Sequence, residues 1–404
     1  MRTLFLLLSI SIGITVIAQE RCVTADYSLA QKTAGTIATT TIAEAESFIQ
    51  NEATSIHGRT SGNNTIIKIP VVVHVLYKDA SRAVSDAQIR SQIAVLNKDF
   101  RRKNSDAVNT PERFQSIAAD VEIEFYLATA DPKGRATTGI VRRQTSIANF
   151  VTNDRIKFTS QGGDDAWDSK SYLNIWVGNM VAGAGYSSTP GSDEAKDGIV
   201  ISQASFGVIS GGGNYSGGRT ATHEVGHWLG LKHIWGDASC GDDGVYDTPQ
   251  QAGYTQGCPT TFRSTCDNGL TGDMYMNFMD YTNDACMNLF TLGQKQRMHA
   301  VFADGGPRAA LLQSKGLQQP WFQEPVVAEM LPKVRIYPNP AFSEINIVLN
   351  EVAKGKTVSI FNANGSLVQT IQLNSGSQKI NISAFSRGLY FIKGEGFTEK
   401  FNKL

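Results

Sequence analysis

Residues 223–233 read His-Glu-Val-Gly-His-Trp-Leu-Gly-Leu-Lys-His and hold three of the six histidines in the chain. In a helix, residues four apart share a face, so His223 and His227 aim their imidazoles at one point. Gly230 can take a left-handed conformation, end the helix and let the chain swing His233 back to that point. Three neutral imidazoles with a fourth position open are what a catalytic zinc needs. Glu224 flanks the same point, where it can serve as general base toward a zinc-polarised water attacking a peptide carbonyl. A non-catalytic zinc-binding protein would have no use for that carboxylate beside an open ligand position. His57, His74 and His299 read as surface or core residues.

The rest of the composition narrows the setting. A chain of 404 residues suggests two or three domains. Lys+Arg and Asp+Glu both number 37, so no strong field favours nucleic acid or an anionic membrane surface. Residues 1–18 read as a signal peptide: Arg2, an apolar run over 4–17, and the small-residue end Val16-Ile17-Ala18. That run is shorter than the roughly 20 residues a membrane span needs, and no later segment is apolar enough. The expectation is a secreted protein without a transmembrane anchor. Of five cysteines, Cys240, Cys258, Cys266 and Cys286 cluster and Cys22 stands alone. In an exported chain the cluster suggests two disulfides, with three connectivities open.

Residues 19–59 are rich in Ala, Thr, Ser and Glu, too polar to form a core, with a short helix over 43–51; they end at a basic, Gly-flanked site around Arg59. This segment is read as a propeptide. Residues 66–77 form a continuous β-branched run that fits a buried strand. A capping box at Ser85 and Gln88 opens a helix to about residue 100, with apolar residues at Ile89, Ile93, Leu96 and Phe100. Strands are expected over 121–128, 172–177 and 198–202, the motif helix over 219–230, and a last helix from the capping box at Thr291 to about residue 302. The fold class is therefore α+β: a mixed sheet plus long helices around a cleft over residues 60–313. A linker with Gly316, Pro320, Pro325 and Pro332 follows over 314–333. Residues 334–404 carry short alternating strands between Asn/Gly/Ser turns, the pattern of a small all-β sandwich.

The extended motif resembles that of the metzincins. His233-Ile-Trp-Gly-Asp237, Asp243 to Pro249, Asn277-Phe-Met-Asp-Tyr281, Asp284-Ala-Cys-Met287 and Phe290 to Met298 narrow the resemblance to the pappalysin family and its ulilysin-like bacterial members. The resemblance covers roughly residues 60–313 and implies a zinc endopeptidase acting on proteins or peptides. It makes Met279 the Met-turn floor beneath the imidazoles and Tyr281 a phenol donor to the oxyanion. Phe278 stands where Tyr is common. Asp284 would sit at the base of the S1′ pocket and select Arg or Lys after the scissile bond. Asp242, Asp243, Val245, Asp247 and Thr248 would supply oxygen ligands to a structural calcium. The implied disulfides are Cys240–Cys266 and Cys258–Cys286. Cys22, after Arg21, would be the latency ligand of a zymogen, with Asp26 as its rival; the Gly58–Arg59 bond is a candidate self-processing site. The tail resembles the type A C-terminal sorting domain of the type IX secretion system through residues 334–340, 361–365 and 383–392, which implies handling by that machinery and a secreted or cell-surface destination.

Overall fold

The computed structural model describes residues 21–33, 38–57, 66–181, 183–321, 334–349, 357–374, 376–395 and 397–404. The expected signal peptide, the stretch around the Gly58–Arg59 bond and the His57 side chain lie outside the described residues. The chain divides into two compact units after residue 322.

In the first unit, the β-branched run becomes β1 (Ile67–Tyr77), almost wholly buried. It pairs in parallel with β2 (Ile123–Leu127) over its first half and with β3 (Ile140–Gln144) over its second half. On its other edge come β4 (Leu173–Gly178), then β6 (Ile199–Ser202), both parallel, and finally β5 (Gly185–Ser187), antiparallel at the rim. A sheet parallel on both sides of β1 must be covered on its faces. One cover consists of α3 (Asp86–Phe100) and α5 (Arg219–Trp228), joined in one core with α6 (Leu292–Ala300). A single-turn α4 (Glu112–Gln115) closes the loop before β2. The expected capping box at α6 is complete, with Thr291 and Gln294 bonding reciprocally. At α3 only half forms: Ser85 accepts from the Gln88 N–H, while the Gln88 amide goes to the Phe206 carbonyl.

Two expectations are corrected. The polar leader holds more helix than the short one over 43–51: it folds into α1 (Thr24–Thr33) and α2 (Ala38–His57), and Ile49 of α2 enters the main core of the first unit. The segment lacks a core of its own, and it uses the core of its neighbour. The linker also begins later than residue 314. The Gly316 carbonyl accepts from Thr129 and Ala130, and Trp321 donates to Gly134, so the chain stays on the first unit through Trp321.

The second unit has two antiparallel sheets. One runs β10 (Leu367–Gln372), β9 (Thr357–Asn362), β12 (Gly388–Gly394), β13 (Phe397–Lys403); the other runs β11 (Ser377–Asn381), β8 (Glu344–Leu349), β7 (Val334–Tyr337). Their alternating apolar residues close one separate core around Ile347, Ile360, Ile392 and Phe401.

Candidate active site

Helix α5 carries His223 and His227 one turn apart. Gly226, between them, faces Met279: a Cβ there would lie 2.5 Å from the Met279 sulfur. The helix ends at Trp228, and Gly230 follows with a φ of +89°, the left-handed value a side chain would resist. The chain then turns back and brings His233 to the other two rings. His227 Nε2 lies 3.1 Å from both His223 Nε2 and His233 Nε2. The opposite nitrogens are all engaged. Nδ1 of His223 faces the Phe278 carbonyl at 2.7 Å, that of His227 the Leu231 carbonyl at 2.9 Å, and that of His233 the Asp237 carboxylate. Acceptors at Nδ1 fix the proton there and leave three Nε2 lone pairs converging. Burial first, then neighbouring histidine charge, holds His223 well below its ordinary value and brings His227 to about 3. Neutral lone pairs at such separations repel unless a cation lies between them, so this donor set fits zinc.

The fourth direction is filled by the leader. Cys22 Sγ lies 3.6 Å from His227 Nε2, and Cys22 with the three histidines is a buried group whose ligand atoms all lie within 4.8 Å. The Val23 N–H donates to the Gly185 carbonyl on β5. Thr24 takes an N–H from Ser187 and gives its hydroxyl proton to Glu224 Oε2 at 2.8 Å. Under this cover, burial raises the Glu224 carboxyl to about 8 against the hydrogen bonds of Thr24 and Cys22. Tyr281, beside the rings of His223 and His233, donates its phenol to the Cys22 backbone carbonyl at 2.8 Å. Met279 is fully buried beneath.

Comparison with known proteins agrees with this geometry. Residues 158–303 match the family described as pregnancy-associated plasma protein-A, peptidase family M43, and residues 335–403 match the secretion system C-terminal sorting domain. An extracellular metalloprotease of Verticillium alfalfae is 31% identical over 256 residues, 60% of this chain and 79% of that protein. Mature mirolysin of Tannerella forsythia, solved with a cleaved peptide, is 48% identical with a TM-score of 0.60, over 61% of this chain and 96% of that one. A mutant of promirolysin from the same organism is 44% identical with a TM-score of 0.66, over 72% and 97%. The chain belongs to the pappalysin (M43) metallopeptidases. It is a secreted or cell-surface zinc metalloendopeptidase of that family, and no described helix is long and apolar enough to cross a membrane.

The pappalysin residues expected from the sequence do not all meet at the metal. Asp284 lies apart from the histidines, at the loop that precedes α5. Its Oδ2 accepts from the N–H groups of Gly217 and Arg219, and its Oδ1 receives the Arg21 guanidinium. Asp26 is exposed on α1 and is not among the ligand atoms gathered at the three histidines. The structure pairs Cys240 with Cys266 and Cys258 with Cys286, both with Cα atoms 5.7 Å apart. The five expected calcium residues split. Asp243, Thr248 and the Val245 carbonyl draw together, whereas Asp242 faces the Gly244 N–H and Asp247 spends its oxygens on Thr291 and Gly293 at the start of α6.

Sequence reasoning missed Thr24, Asp237 and Trp235. Trp235 stacks on His233 at 4.3 Å, and both it and Asp237 sit in the run His233–Asp237 that carried the resemblance. Thr24 gave no signal, because its partners lie more than 160 residues away.

Proposed function

We propose that this chain is made as a latent precursor in which residues 19–59 plug the cleft of an endopeptidase that cuts before Arg or Lys. One observation carries the reading: two consecutive leader residues engage the two places that matter, Arg21 at Asp284 and Cys22 at the three histidines. The match to promirolysin, which spans more of this chain than the match to mature mirolysin, supports it.

In the active form His223, His227 and His233 hold zinc, which supplies Lewis acidity to the reacting groups. Glu224 takes a proton from the attacking water and passes it to the leaving amine. Tyr281 gives the developing oxyanion the hydrogen bond it now gives the Cys22 carbonyl. Asp284 holds the cationic side chain after the scissile bond. In the precursor, Cys22 fills the substrate side of the histidine cluster and Thr24 occupies Glu224, so the attacking water has neither its place nor its base. The Gly58–Arg59 bond has the residue such a pocket selects and is the candidate processing site. A structural calcium is assigned to the loop at Asp243, and the second unit is assigned to recognition by the type IX secretion machinery.

The test is digestion of a proteome-derived peptide mixture by the zinc-loaded full chain and its Cys22→Ala variant, with chelator controls. Cys22→Ala should raise activity before processing, and cut sites should carry Arg or Lys at P1′. Equal latency in both proteins defeats the role of Cys22. A profile dominated by apolar P1′ residues defeats the role of Asp284.

A further inference from the structure

Arg21 is held by more than a carboxylate. Its guanidinium carbon stands 4.8 Å from the centroid of the Tyr215 ring, and its Nη2 lies 3.1 Å from the Met287 sulfur. Both terminal nitrogens reach the same oxygen of Asp284, because the other oxygen is taken by the Gly217 and Arg219 N–H groups. Asp284 therefore cannot offer the two-oxygen fork that selects a planar guanidinium over an ammonium. It supplies charge, which serves Arg and Lys alike. Arg21 Nε is buried and has no hydrogen-bond partner. Preference for a flat cation must come from the faces of the site, and among the described residues the aromatic face beside this guanidinium is Tyr215.

Tyr215 lies between Gly213 and Gly217, in a loop tied back by the Ile209 N–H to the Ser216 carbonyl and by the Asn214 carbonyl to the Asp284 N–H. The last contact couples the loop that carries the ring to the residue that carries the charge. Resting on the reading of Asp284 as the P1′ residue, we infer that Tyr215 is a specificity residue of that subsite and makes the enzyme prefer Arg over Lys. A guanidinium is weakly hydrated and stacks on an aromatic face; an ammonium is compact, strongly hydrated and gains less there.

The test measures kcat/KM of the zinc-loaded, processed chain on paired peptides that differ only in P1′ Arg or Lys. Wild type should favour Arg. Tyr215→Leu should shrink the Arg/Lys ratio by about threefold to tenfold, with most of the loss in KM, and Tyr215→Phe should restore it. The ratio is taken within one variant, so a partly misfolded preparation does not imitate the effect. An unchanged ratio in Tyr215→Leu, with Asp284→Asn losing both peptides, overturns the inference and leaves the basic P1′ pocket standing. A wild-type enzyme that rejects both basic peptides overturns the inference together with that pocket.

Discussion

Thr248 turns its hydroxyl toward both oxygens of Asp243 at 2.9 Å and toward the Val245 carbonyl at 3.0 Å. One hydroxyl proton cannot serve three acceptors at once. Asp243 is buried, and that burial lifts its carboxyl to about 7 in spite of the Thr248 and Val245 hydrogen bonds. A hard divalent cation among these oxygens would remove the mismatch. Calcium at about 100 times its dissociation constant should then raise the melting temperature by roughly 5 °C, measured by calorimetry with and without chelator. Asp243→Asn should abolish the increment; the same increment in wild type and variant would end the assignment. At this scale the sequence was readable wherever partners are local. The three histidines and Gly230 lie within eleven residues, so helical periodicity joins His223 to His227 and the turn at Gly230 returns His233 to them. Arg21 and Asp284 are 263 positions apart, and no spacing rule joins them. Neither does any rule place Thr24 on Glu224, or the ring of Tyr215 beside a guanidinium.

Helix α2 shows what an element gains from its neighbours. Its Ala/Thr-rich run suggested a helix over 43–51, and the helix spans Ala38–His57 because α6 and the turn at Gly230 supply the face it lacks. Ile49 reaches to within 3.1 Å of where a Cβ on Gly230 would lie. Glu46 bonds to Arg297 and Lys232 of the protease unit. Burial works against the Glu46 carboxylate, but the hydrogen bond and charge of Arg297, with Lys232, outweigh it and hold the group below its ordinary value of 4.5. A depressed carboxyl contributes stability above its unfolded value and loses it as pH falls through the folded one. The grip of α2 should therefore weaken below about pH 4.5. Hydrogen-exchange protection along residues 38–57, taken relative to the intrinsic rate at each pH, should fall there in the wild-type chain, and Glu46→Gln should be less protected already at pH 7 with a smaller further loss on acidification. Parallel pH curves for the two proteins would mean that Glu46 does not set the dependence. The short strands were the elements hardest to read. At three residues, β5 is too brief for any periodicity, yet it is the strand that Val23 and Thr24 join. Strand β3 carries two arginines on a half-exposed edge and fills the part of β1 that β2 leaves open.

The whole molecule follows the composition change that the sequence displayed, with the boundary moved toward the tail by the packing of Gly316 and Trp321. The β pattern after residue 334 was legible in the alternation of the segments that become β8 to β12. Strands β7 and β13 were not, because β13 (Phe-Thr-Glu-Lys-Phe-Asn-Lys) shows a single buried residue, Phe401, and its place is fixed by pairing with β12. With that pairing the second unit closes its own core of Val334, Ile345, Val358, Leu373, Ile382 and Tyr390 among others, and the Ala341 backbone bonds to Asn402 and Leu404 at its far end. Each sheet thus buries one face within the unit, as an independently folding domain requires. A sorting signal of this kind should work as a folded module detached from the protease. Residues 334–404 fused behind a periplasmic reporter, in a host with a type IX system, should carry the reporter to the surface or the medium. Phe401→Asp should strand it in the periplasm, because a charge buried in so small a core unfolds the module. A wild-type fusion that stays in the periplasm while remaining folded and protease-resistant would reject the sorting role and leave only a binding module.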